Sequence, residues 1–129
     1  MNLNPIRNFL DGSSMNAWIQ VEDFEIYVRD TRHLLCRGRM GNTFDIASIN
    51  LPDSAKRSQG LFKQLLEEIQ NLLESEYPRI DAIYIESVIN LRLEDYLRRS
   101  NFKEVILLYP NSFYRLTHFK PKGERDAHV

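Results

Sequence analysis

The 129-residue sequence holds a single cysteine, Cys36, and that scarcity excludes two chemistries at once. No intramolecular disulfide can form, and no cysteine-based zinc site can be assembled. An excess of charge of one sign is missing too: 17 Lys plus Arg stand against 18 Asp plus Glu, a formal net charge of −1. Domains that coat phosphate backbones carry a strong basic excess, so no nucleic-acid partner is expected. No apolar run approaches the roughly 20 residues of a membrane span, and the opening MNLNPIRNFLDG lacks a signal-peptide core, so no membrane association is expected. His33, His118 and His128 lie far apart, with no carboxylate or cysteine at ligand spacing, which argues against a metal. What is present, 43% hydrophobic and 11% aromatic residues, suits a folded chain. These features predict one cytoplasmic domain over residues 1–119, followed by a polar, flexible tail over 120–129.

Periodicity then sets the elements. Asn4, Pro5 and Gly12 mark the cap, first position and stop of a short helix, with Ile6, Phe9 and Leu10 on one face. Trp18–Val21 and Phe24–Val28 read as two strands around a tight Glu22-Asp23 turn, and Trp18, Phe24 and Tyr27 read as sheet core. A third strand is predicted around Arg32–Cys36, with Cys36 as a small buried apolar residue. A turn at Gly38–Asn42 and a fourth, interior strand over Thr43–Leu51 follow. From Gly60 the period changes, and Leu61, Phe62, Leu65, Leu66, Ile69, Leu72 and Leu73 form a wide helical stripe ended by Pro78. Its Glu67-Glu68 and Glu74–Glu76 carboxylates are expected on a solvated face. Ala82–Ile85 reads as a short strand, Asn90–Ser100 as a helix, and Phe102–Tyr109 and Phe113–Phe119 as an antiparallel pair. The strand–helix–strand unit over 43–86 requires a parallel crossover. The fold class is therefore α+β: a mixed, mainly antiparallel sheet with a central parallel strand pair and helices on both faces.

The segment with chemical promise is the junction Ile49-Asn-Leu-Pro-Asp-Ser-Ala-Lys-Arg-Ser-Gln-Gly-Leu-Phe. An interior strand runs through a loop into the start of the long helix, where unpaired N–H groups and a partial positive charge suit a phosphate. Arg57 and Lys56 add full charges, and Gly60 removes a side chain that would keep a phosphate from the backbone. The junction is neither a P-loop nor a dinucleotide fingerprint. Glycines at helix starts and surface arginines are common, so these residues alone leave a phosphate site and an ordinary helix start both open.

Arg57-Ser58-Gln59-Gly60-Leu61-Phe62 resembles the acyl-CoA signature of the GCN5-related N-acetyltransferases, Arg/Gln-x-x-Gly-x-Gly/Ala. Downstream, Glu86–Phe102 resembles the family's strand, helix and Gly-Phe segment, with Asn101 in the glycine's place. The likeness covers about residues 43–119 in the family's element order. It implies an acyl-CoA N-acyltransferase-like fold that uses acetyl-CoA as co-substrate, without a metal. Backbone from Arg57 through Ser58, Gln59, Gly60 and Leu61 to Phe62 would hold the pyrophosphate. Ile49 and Leu51 would hydrogen-bond the pantetheine arm where their strand splays from its parallel neighbour, and Asn90 would lie beside the thioester. Phe62 departs from the signature's small residue and falls on the apolar stripe. Leu97 stands where many members carry a tyrosine acid, with Tyr96 one residue, about 100° of helix rotation, earlier.

Acetyl transfer to a primary amine needs a proton acceptor and a donor to the leaving thiol. Glu86, at the end of a buried strand, is the candidate base, against the alternatives of a solvent-facing carboxylate or a pair with Arg92. Tyr96 is the candidate acid, against an ordinary core tyrosine, with Asp45 and Ser87 as weaker options. The acceptor is expected to be an amine of a small molecule or a protein. The short stretch before the fourth strand suggests a possible homodimer in which a second subunit completes the acceptor site. The other reading is an acetyltransferase-like fold that is catalytically silent and serves as a binding or inhibitory module. Net neutrality also hides a bias: residues 66–96 carry eight acidic against two basic side chains, a field suited to a cationic amine.

Overall fold

The structure, a computed structural model, describes residues 1–35, 38–50, 60–86, 88, 91–105 and 111–117. Its elements run α1 (Asn4–Asp11), β1 (Asn16–Val21), β2 (Phe24–Leu34), β3 (Met40–Asn50), α2 (Leu61–Glu76), β4 (Ala82–Ile85), α3 (Leu91–Arg99), β5 (Lys103–Val105) and β6 (Ser112–Leu116). They form one six-stranded sheet in the order β1-β2-β3-β4-β6-β5. Among the described residues only the β3–β4 pair is parallel, with Thr43 opposite Ala82 and Ile46 opposite Ile85, and α2 makes the crossover between them. The mixed α+β sheet with a central parallel pair is as the sequence predicts.

Two strand expectations change. The segment Arg32–Leu34 is no separate strand but the far half of β2, an 11-residue strand that pairs with β3 down to Leu34 opposite Met40. Three antiparallel strands therefore precede α2 instead of four, because nothing between Val28 and Arg32 breaks an extended backbone. Trp18 is not core: its side chain is 54% exposed, on the face opposite Ala17 and Ile19. At α1 the entry is served by Asn2, whose Oδ1 accepts the Asn4 N–H at 3.0 Å, while Asn4 is already helical. Gly12 ends that helix in an extended conformation, so its stop needs no left-handed residue. Cys36, Leu51, His118, His128 and the tail over 120–129 lie outside the described residues.

All three helices bury their apolar side chains in one cluster. Ile6, Phe9 and Leu10 of α1, Leu65, Leu66, Ile69 and Leu73 of α2 and Leu97 of α3 meet Ile26, Val28, Phe44, Ile83 and Phe113 of the sheet. The described helices thus share one face of the sheet, where the sequence predicted both faces. Each fully buried aliphatic contributes about 1.5–3 kcal/mol. The opposite face carries a smaller cluster of Leu35, Ala82, Tyr84 and Tyr114. The acidic face of α2 is more engaged than a solvated face: Glu67 meets Arg115, Glu68 the Met1 ammonium and Glu76 the Arg7 guanidinium. Among the described residues no helix is long and apolar enough to cross a membrane.

Candidate functional site

The site is built where β3 and β4 part. The parallel ladder ends at Ile46 opposite Ile85, closed by the Glu86 N–H donating to the Ile46 carbonyl at 3.1 Å. Beyond it, β3 continues to Asn50, paired only with β2 among the described residues. The β2–β3 register also shifts here: Val28 faces Ile46 and Tyr27 faces Ser48, so Ala47 is an extra residue. A bulge of this kind bends its strand and raises the local twist. The bend falls one residue beyond the last β3–β4 pair, at the root of the gap. Ile49 lies on this outer stretch, half-buried against the main cluster.

Gly60 opens α2 with φ 71°, a left-handed backbone that L side chains rarely adopt, and a Cβ there would meet no atom of the described residues within 4 Å. Conformation therefore demands the glycine. The first turn of α2 holds no carboxylate to compete for its N–H groups. Leu61 and Phe62 pack against the core, Phe62 with its ring 6.2 Å from Phe24, which gives the departure from the small-residue signature a packing cause. Arg57, Ser58, Gln59, Leu51, Asn90 and the Ser87 option lie outside the described residues.

Glu86 follows directly on β4, and its partner is one the sequence reading missed. Arg29 of β2 places Nη1 at 2.6 and 3.0 Å from the two carboxylate oxygens. The guanidinium also lies 5.4 Å from the ring centre of Tyr27, which packs on Trp18 at 5.3 Å. This row occupies the face opposite the helices, because Arg29 and Tyr27 alternate with the buried Val28 and Ile26. The period-2 alternation of Tyr27 and Arg29 was the signal available in sequence; the span from β2 to β4 was not.

Tyr96 lies on the other side. Its hydroxyl donates to Glu67 Oε1 at 3.1 Å, and Glu67 also meets the buried Arg115. Burial, reinforced by the Glu67 charge, pushes this phenol above its ordinary value, so it is protonated at neutral pH. Leu97, in the slot the family fills with tyrosine, is fully buried in the core. Glu86 and Tyr96 are thus tied to partners on opposite faces of the sheet, and the structure does not bring them into contact.

A second polar group was also missed. Asp45, fully buried on β3, accepts the Thr43 hydroxyl at 2.6 Å and meets His33 Nε2 at 2.5 Å. The His33 ring stacks flat on Tyr84, with centres 3.7 Å apart and planes within 4°. His33 and Asp45, 12 residues apart, meet diagonally across β2 and β3, whose register sets His33 opposite Gly41 and Arg29 opposite Asp45. Among the described residues no group of His, Cys, Asp and Glu is arranged to hold a metal.

No protein-family model matches the chain, and no curated protein matches it in sequence. Solved structures do match in fold. One is a tyrosine-to-phenylalanine mutant of the AtaT toxin bound to the C-terminus of the antitoxin AtaR and acetyl-CoA, with a TM-score of 0.59 and 12% identity. That match covers 74% of this chain and 59% of AtaT. AtaT complexed with acetyl-methionyl-tRNAfMet matches with a TM-score of 0.63 and 10% identity, over 98% of this chain and 82% of the other. A KacTA–DNA complex matches with a TM-score of 0.60 and 13% identity, over 90% and 77%. This chain is similar to these proteins in fold, and the fold is the acyl-CoA N-acyltransferase-like one.

Proposed function

We propose that the protein is an acetyl-CoA-dependent N-acetyltransferase that moves an acetyl group to a primary amine by direct transfer. The observation that carries this reading is the Ala47 bulge one residue beyond the end of the parallel β3–β4 ladder, in a fold shared with an acetyl-CoA-bound protein. Backbone from Arg57, Ser58, Gln59, Gly60, Leu61 and Phe62 holds the pyrophosphate at the start of α2, Ile49 and Leu51 meet the pantetheine arm, and Asn90 lies beside the thioester. Acetyl-CoA supplies the activated carbonyl. Glu86 takes a proton from the acceptor ammonium, and the leaving thiolate takes one from solvent, since the Tyr96 hydroxyl donates to Glu67 on the opposite face of the sheet. The acidic middle of the chain favours a cationic acceptor from a small molecule or a protein, in a cytoplasmic setting. The AtaT complex with acetyl-methionyl-tRNAfMet adds an aminoacyl ester to the amines worth offering.

The second reading, a silent fold that binds without turnover, is favoured by Leu97 in the tyrosine slot and by the Tyr96 hydroxyl's engagement with Glu67. Thermal unfolding with acetyl-CoA separates the two. Ligand at 100 times Kd adds roughly 2.7 kcal/mol. A shift that disappears in Arg57→Glu, with coenzyme A released in the presence of an amine, supports the transferase. A shift with no release from any amine supports the silent module, and no shift at all rejects a coenzyme A site.

A further inference from the structure

The sheet ends on two unlike edges. One is β5, described over Lys103–Val105, where Lys103 and Glu104 carry charge as protected edges do. The other is β1, six residues reading Asn16-Ala17-Trp18-Ile19-Gln20-Val21, with no charge and no proline. Among the described residues no strand pairs with its outer side. Backbone geometry fixes which groups face outward. The Asp30 N–H donates to the Met15 carbonyl at 2.9 Å, so Met15 faces β2 in a hydrogen-bonded pair, as do Ala17, Ile19 and Val21 by alternation. The outward N–H and C=O groups are therefore those of Asn16, Trp18 and Gln20.

We infer that β1 is a homodimer interface, pairing antiparallel with β1 of a second copy about a two-fold axis through Trp18. The strand is self-complementary about that residue. A two-fold at Trp18 sets each Trp18 opposite its counterpart, Asn16 opposite Gln20, and Ala17 opposite Ile19. All the outward backbone groups then find partners. Side-chain amide meets side-chain amide, apolar meets apolar on the helix side, and the two exposed indoles meet on the other face. Facing residues in such a pair lie about 5.5 Å apart, within reach of ring contact. No like charges oppose one another, and the isologous contact closes at two copies because both use the same edge.

Sedimentation equilibrium and hydrogen exchange test this directly. The wild-type chain is expected to dimerise on concentration, with the Asn16, Trp18 and Gln20 amides exchanging roughly tenfold or more slowly in the dimer than in dilute solution. Trp18→Lys sets two ammonium groups face to face and should be monomeric, its far-UV spectrum and melting temperature confirming the fold. The double variant Asn16→Lys with Gln20→Lys opposes like charges and should also be monomeric. Asn16→Lys with Gln20→Glu opposes unlike charges and should dimerise. A wild-type monomer at high concentration overturns the inference. So does a dimer whose Asn16, Trp18 and Gln20 amides exchange freely, or one that both lysine variants leave intact.

Discussion

Replacing His33 tests the polar group that the strands assemble beneath the gap. Asp45 has no solvent exposure, and its two oxygens are served by Thr43 and His33. In His33→Ala the carboxylate keeps the Thr43 hydroxyl and loses its other partner. A hydrogen bond to a carboxylate contributes about 1.5–3 kcal/mol, and the flat contact of His33 with Tyr84 about 0.5–1.5 more. The expected loss is therefore about 2–4.5 kcal/mol, a large share of a small domain's stability. Thr43→Val, which keeps the ring contact, should cost about 1.5–3 kcal/mol. Urea unfolding with fixed m-values measures both. Asp45→Asn in the His33→Ala background removes the stranded carboxylate and should recover part of the loss, since an uncompensated buried charge costs more than a missing pair. A His33→Ala loss below about 1 kcal/mol refutes the reasoning, as does a double variant in which the single losses simply add.

Tyr77 sits 8% exposed, with its hydroxyl donating to Asp11 Oδ1 at 2.9 Å, and burial together with that bond pushes its pKa up to about 12. Because the folded value lies above the unfolded one, this contribution is intact below about pH 10 and disappears as pH rises toward 12, at most about 2.7 kcal/mol. Tyr77→Phe should lose that alkaline dependence, and an unchanged slope of stability against pH would contradict it. Gly60→Ala forces a side chain into a left-handed position and should cost about 1–2 kcal/mol, whereas Glu22→Gly relieves the φ of 52° in the hairpin turn and should gain about as much. Melting temperatures that move in the same direction in both variants would rule out the conformational account.

The parts of the fold written in local pattern were legible in sequence. The stripe from Leu61 to Leu73 became α2, Ala82–Ile85 became β4, and Asn101 took the positive φ expected of a glycine's substitute, at 69°. Element ends were less legible, because β2 passes through Arg32 without a breaker and an apolar-looking Trp18 can as well lie on an edge. The site was legible only in its contiguous piece. Arg29 with Glu86, 57 residues apart, and His33 with Asp45 are set by strand register, which no local spacing encodes. Gly60 was expected to clear room for a ligand, and its conformation proves to need the glycine as well.

The opening between β3 and β4 is encoded as a residue count rather than as a side chain. Ala47 lies between two runs of β3 that each keep their own register with β2, so replacing its methyl group leaves the extra length in place. Only a one-residue deletion would straighten the strand. Removing Ala47 would leave Val28 opposite Ile46, Tyr27 opposite Ser48 and Ile26 opposite Ile49, so the strand would straighten while Phe44, Ile46 and Ile49 still face the core. The gap is thereby insulated from point substitution, whereas the side chains along its rim are free to vary.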